Sequence, residues 1–164
     1  MKNISITKYL ERDVWEKKLE QINCRIKFDS GSDQLTAYAL IETPHILIGV
    51  NYEESSIYPK VKKLRNVDKY FVGADNRLVI VESKSEEICS QIDLQSYFVD
   101  VIEVVDKGLI IIEEIGVGFY KYFGERVWFT PTELIENYYV EKDTIIVTTD
   151  SGKIKLSTST GKTI

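Results

Sequence analysis

The spacing of hydrophobic positions changes character once along the chain. Between Lys8 and Ile22, the side chains Leu10, Val14, Trp15, Leu19 and Ile22 recur at close to 3.6 residues. No Gly or Pro interrupts them, Thr7 stands where a cap belongs, and Glu16 and Glu20 interleave with Lys17 and Lys18, so the spacing predicts a helix. Residues 23–28 then alternate polar with apolar or small side chains. Residues 29–33 (Asp-Ser-Gly-Ser-Asp) have turn composition, and 35–41 resume a strand-like run. Together they predict a hairpin with a five-residue loop.

From His45 onward the pattern is one of short apolar runs separated by turn residues. Residues 46–50 read as a strand. Residues 70–73 and 78–82 flank a turn at 74–77, residues 109–112 and 117–122 flank 113–116, and residues 144–148 and 153–156 flank 149–152. Each is a hairpin signal. The equivalent positions Phe71, Ile111 and Ile146 lie 40 and 35 residues apart. That interval is long for a solenoid coil but suits sheet modules of several strands each.

The stretches 71–80 and 119–128 resemble the inner hairpins of quinoprotein-type β-propeller blades. In those blades a strand, an Asp/Gly turn and a second strand lead to Gly-x-x-x-Trp, and Gly124 and Trp128 keep that spacing. Gly161-Lys162 sits at the corresponding place in the last repeat, without a tryptophan after it. The resemblance covers residues 70–164 and implies blade-like, four-stranded meanders. Closed propellers need typically four or more blades, and the chain has room for about three. The expected fold is therefore mainly β: repeated antiparallel hairpins and meanders forming a β-sandwich or open half-propeller, with one N-terminal α-helix. A single domain is expected over residues 1–164, with 1–44 as helix plus hairpin and 45–164 as the repeated hairpins. No residues match ligands for the family's cofactor, so none is expected.

Composition adds exclusions. Hydrophobic residues make up 43% and charged residues 29%, which argues against disorder, and ten tyrosines with six phenylalanines favour strands. The opening Met1-Lys2-Asn3-Ile4-Ser5-Ile6 lacks the apolar core of a secretory signal. The longest apolar run, Leu109–Ile112, falls far short of the roughly 20 residues a membrane span needs. Cys24 and Cys89 read as free thiols of a reducing compartment. The expectation is a cytoplasmic protein without membrane contact.

The formal charge of −5 is unevenly distributed. Residues 1–70 carry 12 Lys/Arg and 10 Asp/Glu, a net of +2, whereas 71–164 carry 9 and 16, a net of −7. An acidic field repels nucleic acid and steers basic partners. The one basic cluster, Lys60, Lys62, Lys63, Arg65 and Lys69, has apolar residues between its lysines and reads as a solvated edge or turn, lysines on an edge strand being a block to unwanted sheet pairing.

Catalytic signatures are weak. His45 is the only histidine, follows Pro44 and opens an apolar run, and no Gly-x-Ser-x-Gly elbow accompanies it. One histidine and two distant cysteines do not make a zinc set, and no calcium loop is present. Adjacent carboxylates Glu53-Glu54 and Glu113-Glu114 point to opposite faces if they lie in strands. Gly116-Val117-Gly118 and Gly161-Lys162-Thr163 lack the helix that a phosphate loop requires. The chain is therefore not expected to be an enzyme or to hold a metal.

What remains is a surface. Tyr120, Tyr122, Trp128, Tyr138 and Tyr139 crowd one acidic third of the chain, and at least one of the adjacent Tyr138 and Tyr139 should be exposed. The leading expectation is a non-catalytic protein-binding module presenting Glu113, Glu114, Tyr120, Tyr122, Tyr138 and Glu141 to a basic protein partner. Immunity or inhibitor proteins acting against basic toxins share this profile. A binder of small ligands or carbohydrate is the alternative, and a carboxylate glycoside hydrolase is a weaker one.

Overall fold

The computed structural model describes residues 4–54, 58–65, 67–104 and 106–164. They form four open sheets and one helix, mainly β as expected, with no closed barrel among the described residues. By contact the chain divides into two compact units, residues 1–94 and 95–164.

The first unit opens with β1 (Ser5–Tyr9), α1 (Arg12–Gln21), β2 (Ile26–Asp29), β3 (Ala37–Glu42) and β4 (Leu47–Tyr52), in sheet order β1-β3-β4-β2. Strand β3 is buried on both faces, so its sequence runs apolar without a break. Ala37, Ala39 and Ile41 face one side, while Tyr38 and Leu40 face Trp15 and Leu19 of α1. Trp15 Nε1 donates to the Ala39 carbonyl at 2.9 Å. Gly49 on β4 makes this close docking possible: a Cβ there would lie 2.7 Å from Leu19 Cδ1 and 3.0 Å from Trp15 Cζ2.

Two sequence expectations fail here. The helix starts four residues later than its periodicity suggests, because residues 5–9 are spent on edge strand β1. Thr7 lies in that strand rather than capping α1, and Leu10 and Val14 remain 67% and 49% exposed. The hairpin over residues 23–41 does not form. Strand β2 pairs parallel with β4 (Ile26↔Ile48, Phe28↔Val50), and β4 separates it from β3. The Ser/Gly-rich segment between β2 and β3 is consequently a crossover, tied down where buried Ser30 hydrogen-bonds to buried Asp75. Composition marks a turn and a crossover alike.

The second sheet is a meander of β5 (Lys60–Lys63), β6 (Lys69–Ala74), β7 (Arg77–Glu82) and β8 (Glu87–Asp93). Since β4 completes the first sheet, the run of meanders starts at β5 rather than at residue 45. Of the edge and the turn that its sequence allowed, the lysine-bearing β5 is an edge strand. Tyr70, Val72, Ala74, Val79 and Val81 pack on Ala39, Ile41, Ile48 and Val50 of the first sheet.

The second unit repeats the plan. Strands β9 (Phe98–Val104), β10 (Gly108–Glu113), β11 (Gly116–Tyr120) and β12 (Arg126–Pro131) form one meander, and β13 (Ile135–Glu141), β14 (Thr144–Thr149) and β15 (Gly152–Ser157) form another. Thr163 bridges to Leu156 on the free side of β15. Ile110, Ile112 and Val117 of one sheet meet Ile145, Val147 and Leu156 of the other. All three later hairpins form, because each alternation ends in a turn that fixes register, although the strand expected over 117–122 stops at Tyr120.

The Gly-x-x-x-Trp spacing acquires a structural meaning. Gly124 takes a left-handed φ of 88° in the β11–β12 turn. Trp128, four residues on, stacks with Phe119 and donates from Nε1 to the Thr158 carbonyl at 3.2 Å. Gly161 lies against its ring, and Thr130 Oγ1 donates to the Gly161 carbonyl at 2.7 Å. Trp128 thus holds the loop after β15 onto the neighbouring sheet.

Candidate functional site

One end of the second unit is assembled from four chain segments. Glu113, the last residue of β10, is fully buried, and its Oε2 accepts the backbone N–H groups of Gln95 and Ser96, both at 2.8 Å. The following turn continues the tie: the Glu114 N–H donates to the Tyr97 carbonyl and the Ile115 N–H to Ser96 Oγ. The β12–β13 connection docks on the same turn, through Thr132 N–H to the Ile115 carbonyl and Ile135 N–H to the Glu114 carbonyl. Glu133 in that connection accepts from Thr149 and Ser151 of the β14–β15 turn, and the Ser151 bond is the main cause holding its carboxyl below the usual carboxylate range. Segments 95–97, 113–116, 131–135 and 149–152 are therefore one hydrogen-bonded rim.

The rim's outward chemistry is mixed acidic and apolar. Ile115 and Leu134 are 46% and 47% exposed, large aliphatic side chains at turn positions where solvent is the default. Glu114, Glu133, Glu136 and Asp150 stand in or beside the same turns. An open cleft of about 430 Å³, lined by Pro131, Glu133, Thr149, Ser151 and Lys153 among others, runs along the rim. The second unit carries 7 Lys/Arg against 11 Asp/Glu, a net of −4, while the first unit, with 14 against 15, is near neutral.

The six residues singled out from sequence do not share one surface. Glu113 is interior, and burial pushes its carboxyl above the usual range against the opposing backbone bonds from Ser96 and Gln95. Among the described residues its Oε1 has no hydrogen-bond partner. Tyr120 is buried, with burial raising its phenol and Glu113 adding to the shift. Strand β11 ends at Tyr120, so Tyr122 lies beyond it and folds back to donate to Glu103 Oε1 at 3.3 Å. Tyr138 is half-buried and bridges the two sheets by donating to Asp100 Oδ2 at 2.5 Å. Burial and that carboxylate together push its phenol far up. Glu141 is exposed at the opposite end of its sheet, beside a cleft with Lys142 and Lys155. Of the six, only Glu114 belongs to the outward rim.

The residues that sequence reasoning missed are Ile115, Leu134, Glu133 and Asp150. A signal existed for two of them. Ile115 is an aliphatic residue inside a turn, and Leu134 precedes Ile135, so only one of that pair can face the core of a strand start. Tyr139 is 47% exposed beside half-buried Tyr138, as alternation requires. Among the described residues no group of three His, Cys, Asp or Glu side chains is placed to hold a metal, and no helix is long and apolar enough to cross a membrane.

No protein-family model matches the chain, and no curated protein matches its sequence. Solved structures do. Apo AztD from Citrobacter koseri superposes at a TM-score of 0.53 with 14% identity, covering 86% of this chain and 46% of AztD. A second AztD structure from that organism gives 0.55 and 12%, covering 86% and 45%. Kluyvelomyces marxianus Hsv2 aligns at 0.41 and 11%, covering 77% and 57%. Both are β-propeller-type proteins. The likeness to AztD is one of fold. The chain spans less than half the length of the AztD chains it matches, as an incomplete set of propeller-type sheets does.

Proposed function

We propose that the chain is a non-catalytic protein-binding module that presents the rim of its second unit to a basic protein partner. The observation that carries this reading is the exposure of Ile115 and Leu134 on turns cross-tied by hydrogen bonds and surrounded by Glu114, Glu133 and Asp150. Apolar anchors on a pre-ordered frame limit the entropy lost on association, and the surrounding carboxylates steer an oppositely charged surface. The non-catalytic part is supported by how the carboxylates are used. Glu113 holds a loop, Glu53 accepts from Ser32, Glu54 pairs with Lys8 at 2.9 Å, and Asp100 is bound by Tyr138. A toxin-neutralising inhibitor is one role that such a module fills. Within the same reading, residues 70–164 are quinoprotein-type blades without a cofactor, supported by the seating of Trp128 on Gly161.

The test is crosslinked capture from the native cell with the wild-type chain, Leu134→Asp and Glu114→Lys/Glu133→Lys in parallel. Both variants change exposed or half-buried side chains, and circular dichroism checks their folding. A basic protein retained by wild type, released by salt and lost from both variants supports the proposal. Equal retention by all three chains, or capture of acidic proteins alone, overturns it.

A further inference from the structure

The first unit holds a feature of the opposite chemistry. Three connections meet at one of its ends: residues 22–25 after α1, the β3–β4 turn at 43–47, and the β7–β8 turn at 84–86. Between them lies an open, polar-lined cleft of about 540 Å³. Ile22, Pro44, Ile46 and Leu47 give it apolar wall, and Arg25, His45, Lys84 and Asn23 give it donors.

The frame behind these donors is fixed. Thr43 Oγ1 accepts the N–H groups of His45 and Ile46 and donates to the Ile46 carbonyl, closing the turn that carries His45. The Cys24 thiol bonds to the Ile26 and Leu47 carbonyls at 3.4 Å, joining the segment after α1 to that turn. Asn23 and Glu86 take left-handed φ values of 52° and 54°, which sets the direction of both outer connections.

The lining carries Arg25 and Lys84 against the single carboxylate of Glu86. Arg25 Nη1 lies 3.4 Å from Glu86 Oε2, which orients the guanidinium. Among the described residues neither the Lys84 nor the His45 side chain forms a salt bridge or hydrogen bond. Both act at a distance on Asp68, whose carboxylate is occupied by the Ser83 hydroxyl at 2.5 Å and does not line the cleft. A planar guanidinium, an ammonium and an imidazole lining one polar concavity form the donor set that oxyanions select.

We propose that this cleft binds a small organic oxyanion, a phosphate monoester or a carboxylate, through Arg25, His45 and Lys84, with Glu86 holding Arg25 in place and opposing the ligand's charge. The site lies on the other unit from the protein-binding rim, so either proposal stands or falls without the other.

His45 is the only histidine, so its imidazole C–H resonances assign themselves in an NMR titration. The full chain is titrated at fixed pH and ionic strength with inorganic phosphate, with glycerol phosphate and with succinate. The expected result is a saturable shift of the His45 signals with at least one of these probes, and the phosphate and carboxylate arms show which headgroup is preferred. Lys84→Met and Arg25→Gln each weaken the response by about tenfold, the usual scale for a charge-assisted contact. Glu86→Gln tightens it several-fold, a gain that a purely structural role for Glu86 does not produce. A shift that stays linear with every probe, or identical affinity in all three variants, overturns the proposal.

Discussion

Replacing Gly161 with alanine is the sharpest test of how the second unit is held together. Gly161 has φ +68°, so an alanine there costs about 1–2 kcal/mol in backbone strain alone. Its Cβ would fall 2.5 Å from Trp128 Cε3, 2.7 Å from Cδ2 and 2.9 Å from Thr130 Oγ1. The backbone has little room to withdraw: the Gly161 N–H donates to the Ser157 carbonyl at 2.8 Å and its carbonyl accepts from Thr130 at 2.7 Å. The ring is equally constrained, between Phe119 and the Nε1 bond to Thr158. Relieving such overpacking costs about 1–3 kcal/mol more, for a total of about 2–5. Gly152→Ala is the internal control, because φ there is +126° but nothing lies within 4 Å of the added methyl. It should lose backbone strain alone, about 1–3 kcal/mol, because its φ lies beyond the left-handed well that Gly161 occupies. Urea unfolding followed by circular dichroism measures both, and a Trp128→Leu background should reduce the cost of Gly161→Ala towards its own backbone part of about 1–2 kcal/mol. An unchanged cost of Gly161→Ala in the Trp128→Leu background would refute the role assigned to Trp128.

Other expectations follow from single features. Burial raises the Glu113 carboxyl in the folded chain, so its contribution to stability is complete below the unfolded-state value and is lost as pH rises through the folded one. The stability difference between wild type and Glu113→Gln should therefore move against wild type as pH is raised from 4 to 8, and a difference independent of pH would contradict the assignment. Gly49→Ala should destabilise by about 1–3 kcal/mol by forcing Leu19 and Trp15 off β4, visible as a change in Trp15 emission before global unfolding. Cys89 is exposed and Cys24 buried with a raised thiol, so a thiol reagent should label one site rapidly and the second only with denaturant. Two equally fast sites would mean that α1 and the segment after it do not cover Cys24.

The legible parts of this protein were those governed by local rules. Alternation ending in two-residue turns such as Asp75-Asn76, Glu114-Ile115 and Asp150-Ser151 fixes both a hairpin and its register, and the lysines of β5 announce an edge or turn. The aromatic and acidic residues of the second unit were legible as a group but not as a surface. A tyrosine that clamps two sheets and a tyrosine that meets a partner look alike in sequence, and only the positions of Asp100 and Glu103 separate them. The outward rim is formed by segments about 18 to 55 residues apart, and no local pattern records that they meet.

By itself, then, the sequence determined a mainly β chain, a helix near its start, three hairpins in their registers and an acidic second half, because each depends on side-chain period, turn chemistry and charge within a few residues. Tertiary structure decided the rest. The parallel pairing of β2 with β4 arises because the apolar face of Ile26 and Phe28 reaches the same core as Ile48 and Val50. Glu113 became an interior anchor because the N–H groups of Gln95 and Ser96 had no strand partner and converge on its carboxylate. The exposed rim and the cationic cleft exist only where connections distant in sequence are brought together by the sheets beneath them. Long-range packing sets those juxtapositions, and it leaves no periodicity in the chain to read.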